Sequence, residues 1–386
     1  MAEIVETEIL IVGGGPAGLS CAARLSADVD ALIVHQDKEI GKPVRTSGGS
    51  WLSDMTRLGV PETLYNRVAQ IDVYSDNREM TLDTSDDPAV ILDVTGLYKW
   101  LAEDVRVPIH CSTKFLGAQR VEGGFLSRMR TAGKGEWQVK SRKIVDASGW
   151  HCAVLESLGL GKKPDRTGVG YECEFPIGEF DQNRGILFFG SSALTAYGWV
   201  FPTGYGTIRV GVGVLKPVSD QSPKDVMTHF MASDDWARMG LPEVTDSHVN
   251  AGTIPSVAYD PQLIFGDVIR VGDSANMATP TLGEGLRIVI EQGRLLGDAL
   301  SAGPAAVTAW ERQATRKFKR NYWIGFLVNS AAAQYTPAQW DRSVDRMARL
   351  PGPELRRYFK NDFTTGMLIR RVCLLLWRKL TYRFIK

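Results

Sequence analysis

Short apolar runs set off by glycine and polar stretches give this chain its pattern. Residues 9–12 and 31–34 are continuous apolar runs about twenty positions apart, the spacing of two buried parallel strands joined by a helix. Between them, residues 19–25 are predicted as that helix. Residues 144–149 and 268–273 are two further buried strands, each running into an acid. From about Thr167 the texture changes to alternation over 169–175, 185–189, 198–201 and 207–214, which predicts short strands of an antiparallel second layer. A helix is predicted over 97–105, a long one from Gly283-Glu284-Gly285 to about Leu300, and mostly helix from Pro304 to Lys386. The pattern contains no internal repeat and no low-complexity segment.

The first strand runs directly into Gly13-Gly14-Gly15-Pro16-Ala17-Gly18. Glycines at these places allow a tight turn at Gly13, close approach of a phosphate at Gly15 and helix–strand contact at Gly18. Such a turn aims backbone N–H groups at one point, where a dinucleotide pyrophosphate sits. As an isolated string the motif is weak; its place after an N-terminal apolar strand gives it force. The second strand is expected to end in an acid that holds the adenosine ribose. Here His35-Gln36-Asp37 stands instead, so Gln36 becomes a neutral ribose partner, with Asp37 as a displaced substitute. The following loop, Gly41 to Ser50, is too polar for core and brings Arg45, Thr46 and Ser47 toward the same ligand; the alternative is a surface connection.

Composition narrows the classes. At 386 residues, the chain is long enough for two or three domains, one of them discontinuous. Its 45 basic and 44 acidic residues leave a net charge of +1, so no global field draws nucleic acid. Cys21, Cys111, Cys152, Cys173 and Cys373 are scattered without a Cys-x-x-Cys pair, a spacing of reduced thiols rather than of disulfides or zinc. The five histidines form no ligand pair either, and no metal is expected. The N-terminus lacks a basic, signal-like start and no segment approaches the ~20 apolar residues of a membrane span. A cytoplasmic protein is expected.

Three motifs now stand in order: Gly13 to Gly18, Asp146 to Gly149, and Gly272-Asp273 followed by Pro280 and Gly283-Glu284-Gly285. Together they resemble the fingerprints of FAD-dependent oxidoreductases of the aromatic-hydroxylase fold. Within that fold, Tyr197-Gly198-Trp199-Val200-Phe201-Pro202 is similar to the Tyr-x-Trp-x-Phe-Pro signature of the geranylgeranyl reductase family, and Gly41-Lys42-Pro43-Val44-Arg45 resembles that family's loop. The resemblance implies an α/β fold: a Rossmann-like FAD-binding domain with an inserted mixed or antiparallel sheet domain for substrate, and a helical C-terminal region. The corresponding boundaries are 1–75, 94–165 and 266–303 for the FAD domain, 76–93 and 166–265 for the sheet domain, and 304–386 for the helical region.

The resemblance implies FAD as cofactor, held by Gly13, Gly15, Pro16, Ala17, Gly18, Gln36, Arg45, Thr46, Asp146, Gly149, Asp273, Pro280, Gly283, Gly285 and Leu286. Asp273 would offer its carboxylate to the ribityl hydroxyls, and the helix after Gly285 would point its positive end at the flavin. The implied activity is reduction of C=C bonds in a prenyl chain, with NADPH, a ferredoxin or a reduced quinone as donor. Tyr197, Trp199, Phe201 and Pro202 would line an oily chamber, although aromatics at period two are also the ordinary buried face of a sheet. Thr46 and Tyr197 are the candidate proton-relay residues. Two departures stand out. Some members carry a Cys where this chain has Thr46, and many are apolar where it has Arg287, which would bind substrate or face the flavin, or be a solvated helix residue.

Rival readings remain within the same fold. An NAD(P)H-dependent monooxygenase or epoxidase would carry the same FAD motifs, a halogenase matches Tyr197 to Pro202 only in part, and a flavin-bearing lipid-binding or redox-sensing protein would lack turnover. The C-terminal segment 367–386 holds Arg370, Arg371, Arg378, Lys379, Arg383 and Lys386, no acid, and Trp377 among many apolar residues. Such a basic amphipathic segment is expected on an anionic membrane surface, the alternative being a helix docked on the protein.

Overall fold

The computed structural model describes residues 4–193, 196–367 and 369. Its frame is an eight-stranded sheet whose central strands follow the apolar runs of the sequence. Ile4–Val12 lies between Ala31–Val34 and Gly135–Asp146, parallel to both, and Val268–Arg270 adds in parallel beyond Gly135–Asp146. Ile9, Leu10, Ile11 and Ile33 are all buried, as strands covered on two faces demand. The hairpin Thr113–Val121 and Gly124–Thr131, which the sequence pattern did not reveal, extends Gly135–Asp146 on its antiparallel side.

Helices cover this sheet. The first runs over Pro16–Ala22, starting three residues earlier than expected because Pro16 sits at the helix start, where its missing N–H costs nothing. The third, Val94–Glu103, begins at Asp93, whose carboxylate accepts a hydrogen bond from the Gly96 N–H at 2.9 Å. The long helix Leu286–Ala302 packs against the first one.

A seven-stranded sheet forms the second layer, in the order His248–Pro255, Thr167–Pro176, Thr207–Lys216, Gly198–Pro202, Arg184–Phe188, Gln70–Tyr74, Glu79–Asp83. It is antiparallel except for one pair, Arg184–Phe188 with Gln70–Tyr74. The chain therefore enters this sheet at Gln70, ahead of the division drawn at residue 76 from the sequence. Ala89–Leu92, placed with the sheet region, pairs instead with Gly49–Trp51 and Tyr65–Val68 in a small three-stranded sheet. These assignments follow long-range pairing, which local pattern does not encode.

Behind Leu286–Ala302 come Pro304–Ala332, Pro337–Met347 and Gly352–Phe359, matching the expected helical region as far as it is described. Apart from Met367 and Ile369, the basic segment 367–386 lies outside the described residues. Among the described residues, no helix is long and apolar enough to cross a membrane.

Candidate functional site

The glycine turn is built by collision with its neighbours. Gly13 has φ +118°, and a Cβ there would lie 2.1 Å from the Ala147 carbonyl oxygen; one on Gly18 would lie 2.0 Å from the Gly13 oxygen. Only glycine lets strand, turn and helix approach this closely. Gly15 is different: a Cβ on it would meet nothing within 4 Å. Its bare backbone faces a cavity of about 750 Å³, within the ~300–1,000 Å³ of small-molecule and cofactor sites.

That cavity is walled by segments far apart in sequence. Gly13, Gly15, Pro16, Ala17, Gln36, Arg45, Thr46, Gly149, Asp273, Gly283, Gly285 and Leu286 all line it, so one chamber gathers most of the expected cofactor residues. Three stand elsewhere. Gly18 packs behind the turn, and Pro280 lines a neighbouring cavity. Asp146 is fully buried; its carboxylate accepts hydrogen bonds from the Ser148 N–H and hydroxyl and from the Val154 and Leu155 N–H groups. It ties the turn after its strand to the helix Ala153–Ser157 rather than facing the cavity, because four inward-pointing donors outcompete any ligand.

At the end of the second strand the structure divides the work of the expected acid. Gln36 faces the cavity. His35 and Asp37 line it too; the His35 Nδ1 accepts from the Gly14 N–H at 3.2 Å, with burial pushing the imidazole toward its neutral form. Asp37 is gripped bidentately by Arg45, Nη1 to Oδ2 at 2.6 Å and Nη2 to Oδ1 at 2.9 Å. This pair braces the polar loop against the strand end, a job for planar guanidinium.

Asp273 also lines the cavity, and among the described residues no cation pairs with its carboxylate. Burial pushes its carboxyl up to about 6, the state of an acid waiting for hydrogen-bond donors from a ligand. The turn, the open Gly15 and this unpaired acid fit an extended dinucleotide with a polyhydroxyl chain.

A smaller cavity of about 120 Å³ abuts the first one; Arg45, Thr46, Gly252 and Gly283 line both. Its walls include Tyr197, Trp199, Val214, Leu215, Ile254 and Leu282. Tyr197, Trp199 and Phe201 share one sheet face, with ring centroids 5.7 Å and 6.5 Å apart in succession. Tyr197 and Trp199 reach the cavity, whereas Phe201 and Pro202 do not line it; they continue the sheet core beyond its end. The Tyr197 hydroxyl donates to the Leu282 carbonyl, and burial pushes the phenol well above its ordinary range.

Arg287 does not reach either cavity, which corrects its expected place against substrate or flavin. Its Nε donates to Glu284 Oε1 at 2.7 Å and its Nη2 to the Lys360 carbonyl at 2.8 Å, with Asp54 Oδ2 at 3.8 Å. Helical spacing turns this side chain away from the flavin end and into an ion cluster with the C-terminal helices.

Sequence reasoning missed Glu172 and Asn250, both buried and both lining the smaller cavity. Glu172 Oε2 accepts from Trp199 Nε1 at 2.6 Å and Oε1 from Asn250 Nδ2 at 3.1 Å. Two acids, Glu172 and Glu174, at period two within a glycine-rich strand, 167–175, were the available signal. Among the described residues, no group of three His, Cys, Asp or Glu is placed to hold a metal.

Residues 6–305 match the FAD binding domain family. The chain belongs to this family. It is an FAD-dependent oxidoreductase, and the cofactor read from the three motifs stands. Its relatives include a digeranylgeranylglycerophospholipid reductase of Methanosphaera stadtmanae, 28% identical over 310 residues that cover 76% of this chain and 77% of the relative. Another, from Methanothermobacter thermautotrophicus, is 27% identical, covering 78% of each. A geranylgeranyl bacteriochlorophyll reductase-like structure from Thermoplasma acidophilum superposes with a TM-score of 0.78 at 20% identity, covering 90% of this chain and 92% of that one. These relatives match the family resemblance read from the Tyr197 to Pro202 and Gly41 to Arg45 segments. A p-nitrophenol 4-monooxygenase of Pseudomonas putida shares the fold, with a TM-score of 0.69 at 16% identity over 93% of this chain and 99% of that one.

Proposed function

We propose that this flavoenzyme reduces C=C bonds in the prenyl chain of a lipid. The observation that carries the reading is the apolar cavity at Tyr197 and Trp199 meeting the cofactor chamber at Thr46, Gly252 and Gly283. Its volume of about 120 Å³ compares with the ~150 Å³ that accommodates a benzene. It therefore takes one five-carbon branched unit at a time, with the rest of the chain outside. The naming of the archaeal relatives as prenyl-lipid reductases supports this substrate class.

Bound FAD, when reduced, supplies hydride to one alkene carbon. The chain's own residues do the rest. Gly15 and its neighbours would admit the pyrophosphate, Asp273 would accept from the ribityl hydroxyls, and Gln36 would contact the adenosine ribose. Tyr197, Trp199, Ile254 and Leu282 hold the alkene and exclude water, and the aromatic faces stabilise positive charge as the double bond polarises. Thr46, at the junction of the two cavities, orients the reacting segment. NADPH or a ferredoxin supplies the electrons.

The protein works at a membrane surface through the basic segment 367–386. Trp323 and Leu327, one helical turn apart and 57% and 46% exposed, offer apolar surface that supports the same placement. The test of the reaction is anaerobic: the dithionite-reduced holoenzyme is mixed with geranylgeranyl lipids, and mass spectrometry is expected to find added pairs of hydrogens. Product formed only with O₂, one oxygen atom heavier, sinks the reading in favour of a monooxygenase. Liposome flotation of a chain truncated after residue 366 tests the membrane contact; undiminished binding sinks it.

A further inference from the structure

Glu172 stands apart from every role assigned above. It lies on the strand Thr167–Pro176, its side chain 4% exposed, and it lines the apolar cavity. Register places it against Gly211 on one neighbouring strand and Asn250 on the other. Two residues back, Gly170 pairs with Gly252, which belongs to both cavities. Glu172 is thus roughly 7 Å along the strand from the point where the cavities meet.

Its charge surroundings are unbalanced. Arg209, 6% exposed, is the cation beside two carboxylates, Glu172 and Glu174. Its Nε donates to Glu174 Oε2 at 2.8 Å but stays 3.9 Å from Glu172 Oε1, and its Nη1 is taken by the carbonyls of Ser47 and Leu92. Glu174 is also bonded by the Thr207 hydroxyl and faces His248. One buried cation balances one carboxylate; a second charge beside it would stand uncompensated in a low-dielectric site. Burial therefore prevails at Glu172 over Arg209, Trp199 and Asn250 and pushes its carboxyl up, whereas at Glu174 burial is outweighed by the charge and hydrogen bond of Arg209 together with the Thr207 hydroxyl and His248, which hold it down. Two neighbouring acids driven apart in this way mark an acid–base assignment. Both hydrogen-bond partners of Glu172, Trp199 and Asn250, approach it as donors, so neither takes its proton.

We propose that Glu172 is the proton donor of the reaction, delivering the hydrogen that balances the hydride. The inference rests on the reductase reading. The Glu172 O–H bond breaks and its proton forms a C–H bond on one alkene carbon. The other carbon takes the hydride lost by reduced FAD, which is oxidised as the alkene is reduced. The Glu172 carboxylate left behind is reprotonated by water between turnovers. Tyr197 cannot fill this place, since its proton is already committed to Leu282.

The test joins two readouts on the holoenzyme. Infrared difference spectra at neutral pH are expected to show a protonated carboxylic acid that disappears in Glu172→Gln and persists in Glu174→Gln. Under anaerobic conditions, Glu172→Gln is expected to load FAD and to be reduced by dithionite as the wild type is, while its reoxidation by geranylgeranyl lipid slows at least tenfold and Glu172→Asp recovers part of the loss. Gln is close in shape to a neutral Glu, so normal FAD loading reports an intact fold; a Glu172→Gln protein that fails to load FAD leaves the decision to the infrared band and to Glu172→Asp. The proposal is overturned if the infrared band is unaffected by Glu172→Gln, or if the variants keep pace with a wild type that turns over. A wild type that no prenyl lipid reoxidises overturns the reductase reading and the proton transfer with it. That failure is recognisable because it appears before any variant is compared.

Discussion

The Tyr197 hydroxyl is locked onto the Leu282 carbonyl at 2.5 Å, tying the aromatic strand of one sheet to the loop that leads into the long helix under the cofactor chamber. This bond fixes the apolar wall against the cofactor chamber and engages the phenol proton. Tyr197→Phe is expected to cost about 1 kcal/mol, because a half-buried carbonyl loses its donor, and to retain lipid reduction. Thermal unfolding alongside the anaerobic assay checks both parts. Lost turnover with unchanged stability would return Tyr197 to the role of proton donor.

Asp273 makes cofactor binding depend on pH. Its carboxyl is raised by burial to about 6 in the folded protein from 3.8. Folded protein therefore holds the proton more tightly than unfolded, and the apoprotein's stability is fullest below the unfolded value and declines as pH rises through about 6. Ribityl hydroxyls would donate to the ionised form, so FAD affinity is expected to move the opposite way. It is expected to weaken about tenfold per unit of pH below 6. Fluorescence titration of the apoprotein between pH 5 and 8 measures it, and Asp273→Asn should flatten the profile at weak binding. A flat wild-type profile would remove Asp273 from the ribityl contact.

Arg287 is a structural cation. It joins Glu284 and Asp54 to the Lys360 carbonyl, and Lys360 itself reaches Asp54 Oδ2 at 3.3 Å. Replacing it with Met leaves Glu284, its side chain 9% exposed, without its cation, while Asp54 keeps Arg57 and Lys360; the expected cost is about 3 kcal/mol. Urea unfolding checks this. A variant as stable as wild type but with raised KM for lipid would place Arg287 in the substrate site after all.

Gly15 and Gly13 should respond oppositely to a side chain. Gly15 has φ −82° and open space where a Cβ would go, so Gly15→Val is expected to fold, by circular dichroism, and to lose FAD. Gly13→Ala drives a methyl into the Ala147 carbonyl and is expected to lose the fold itself. A Gly15→Val protein isolated yellow would mean that the pyrophosphate lies elsewhere.

Much of this was legible from residue order. Apolar runs placed the central strands, because burial on both faces needs uninterrupted apolar residues, and the glycine turn after the first of them located the cofactor chamber. The Tyr197 to Pro202 segment was recognised as aromatic at period two. Which of those rings reach the cavity was not legible, since that depends on where the sheet ends against the loop Thr279 to Gly283. Asp146 and Arg287 turn toward protein for one shared reason. Each is a charged residue in or beside a cofactor motif, and whether it faces ligand or protein is set by the donors and acids that the fold brings to it, at Val154, Leu155, Glu284 and Asp54.

The sequence by itself determined the parallel frame and the dinucleotide turn, because each rests on local backbone demands that only particular residues meet, and its three motifs carried the family resemblance that implied FAD. Tertiary structure decided the rest. It joined the apolar cavity to the cofactor chamber and turned Arg287 inward. It also set Glu172 beside a cation already claimed by Glu174, because charge balance in a buried site depends on which strands become neighbours, and pairing across a sheet is a property of the whole chain.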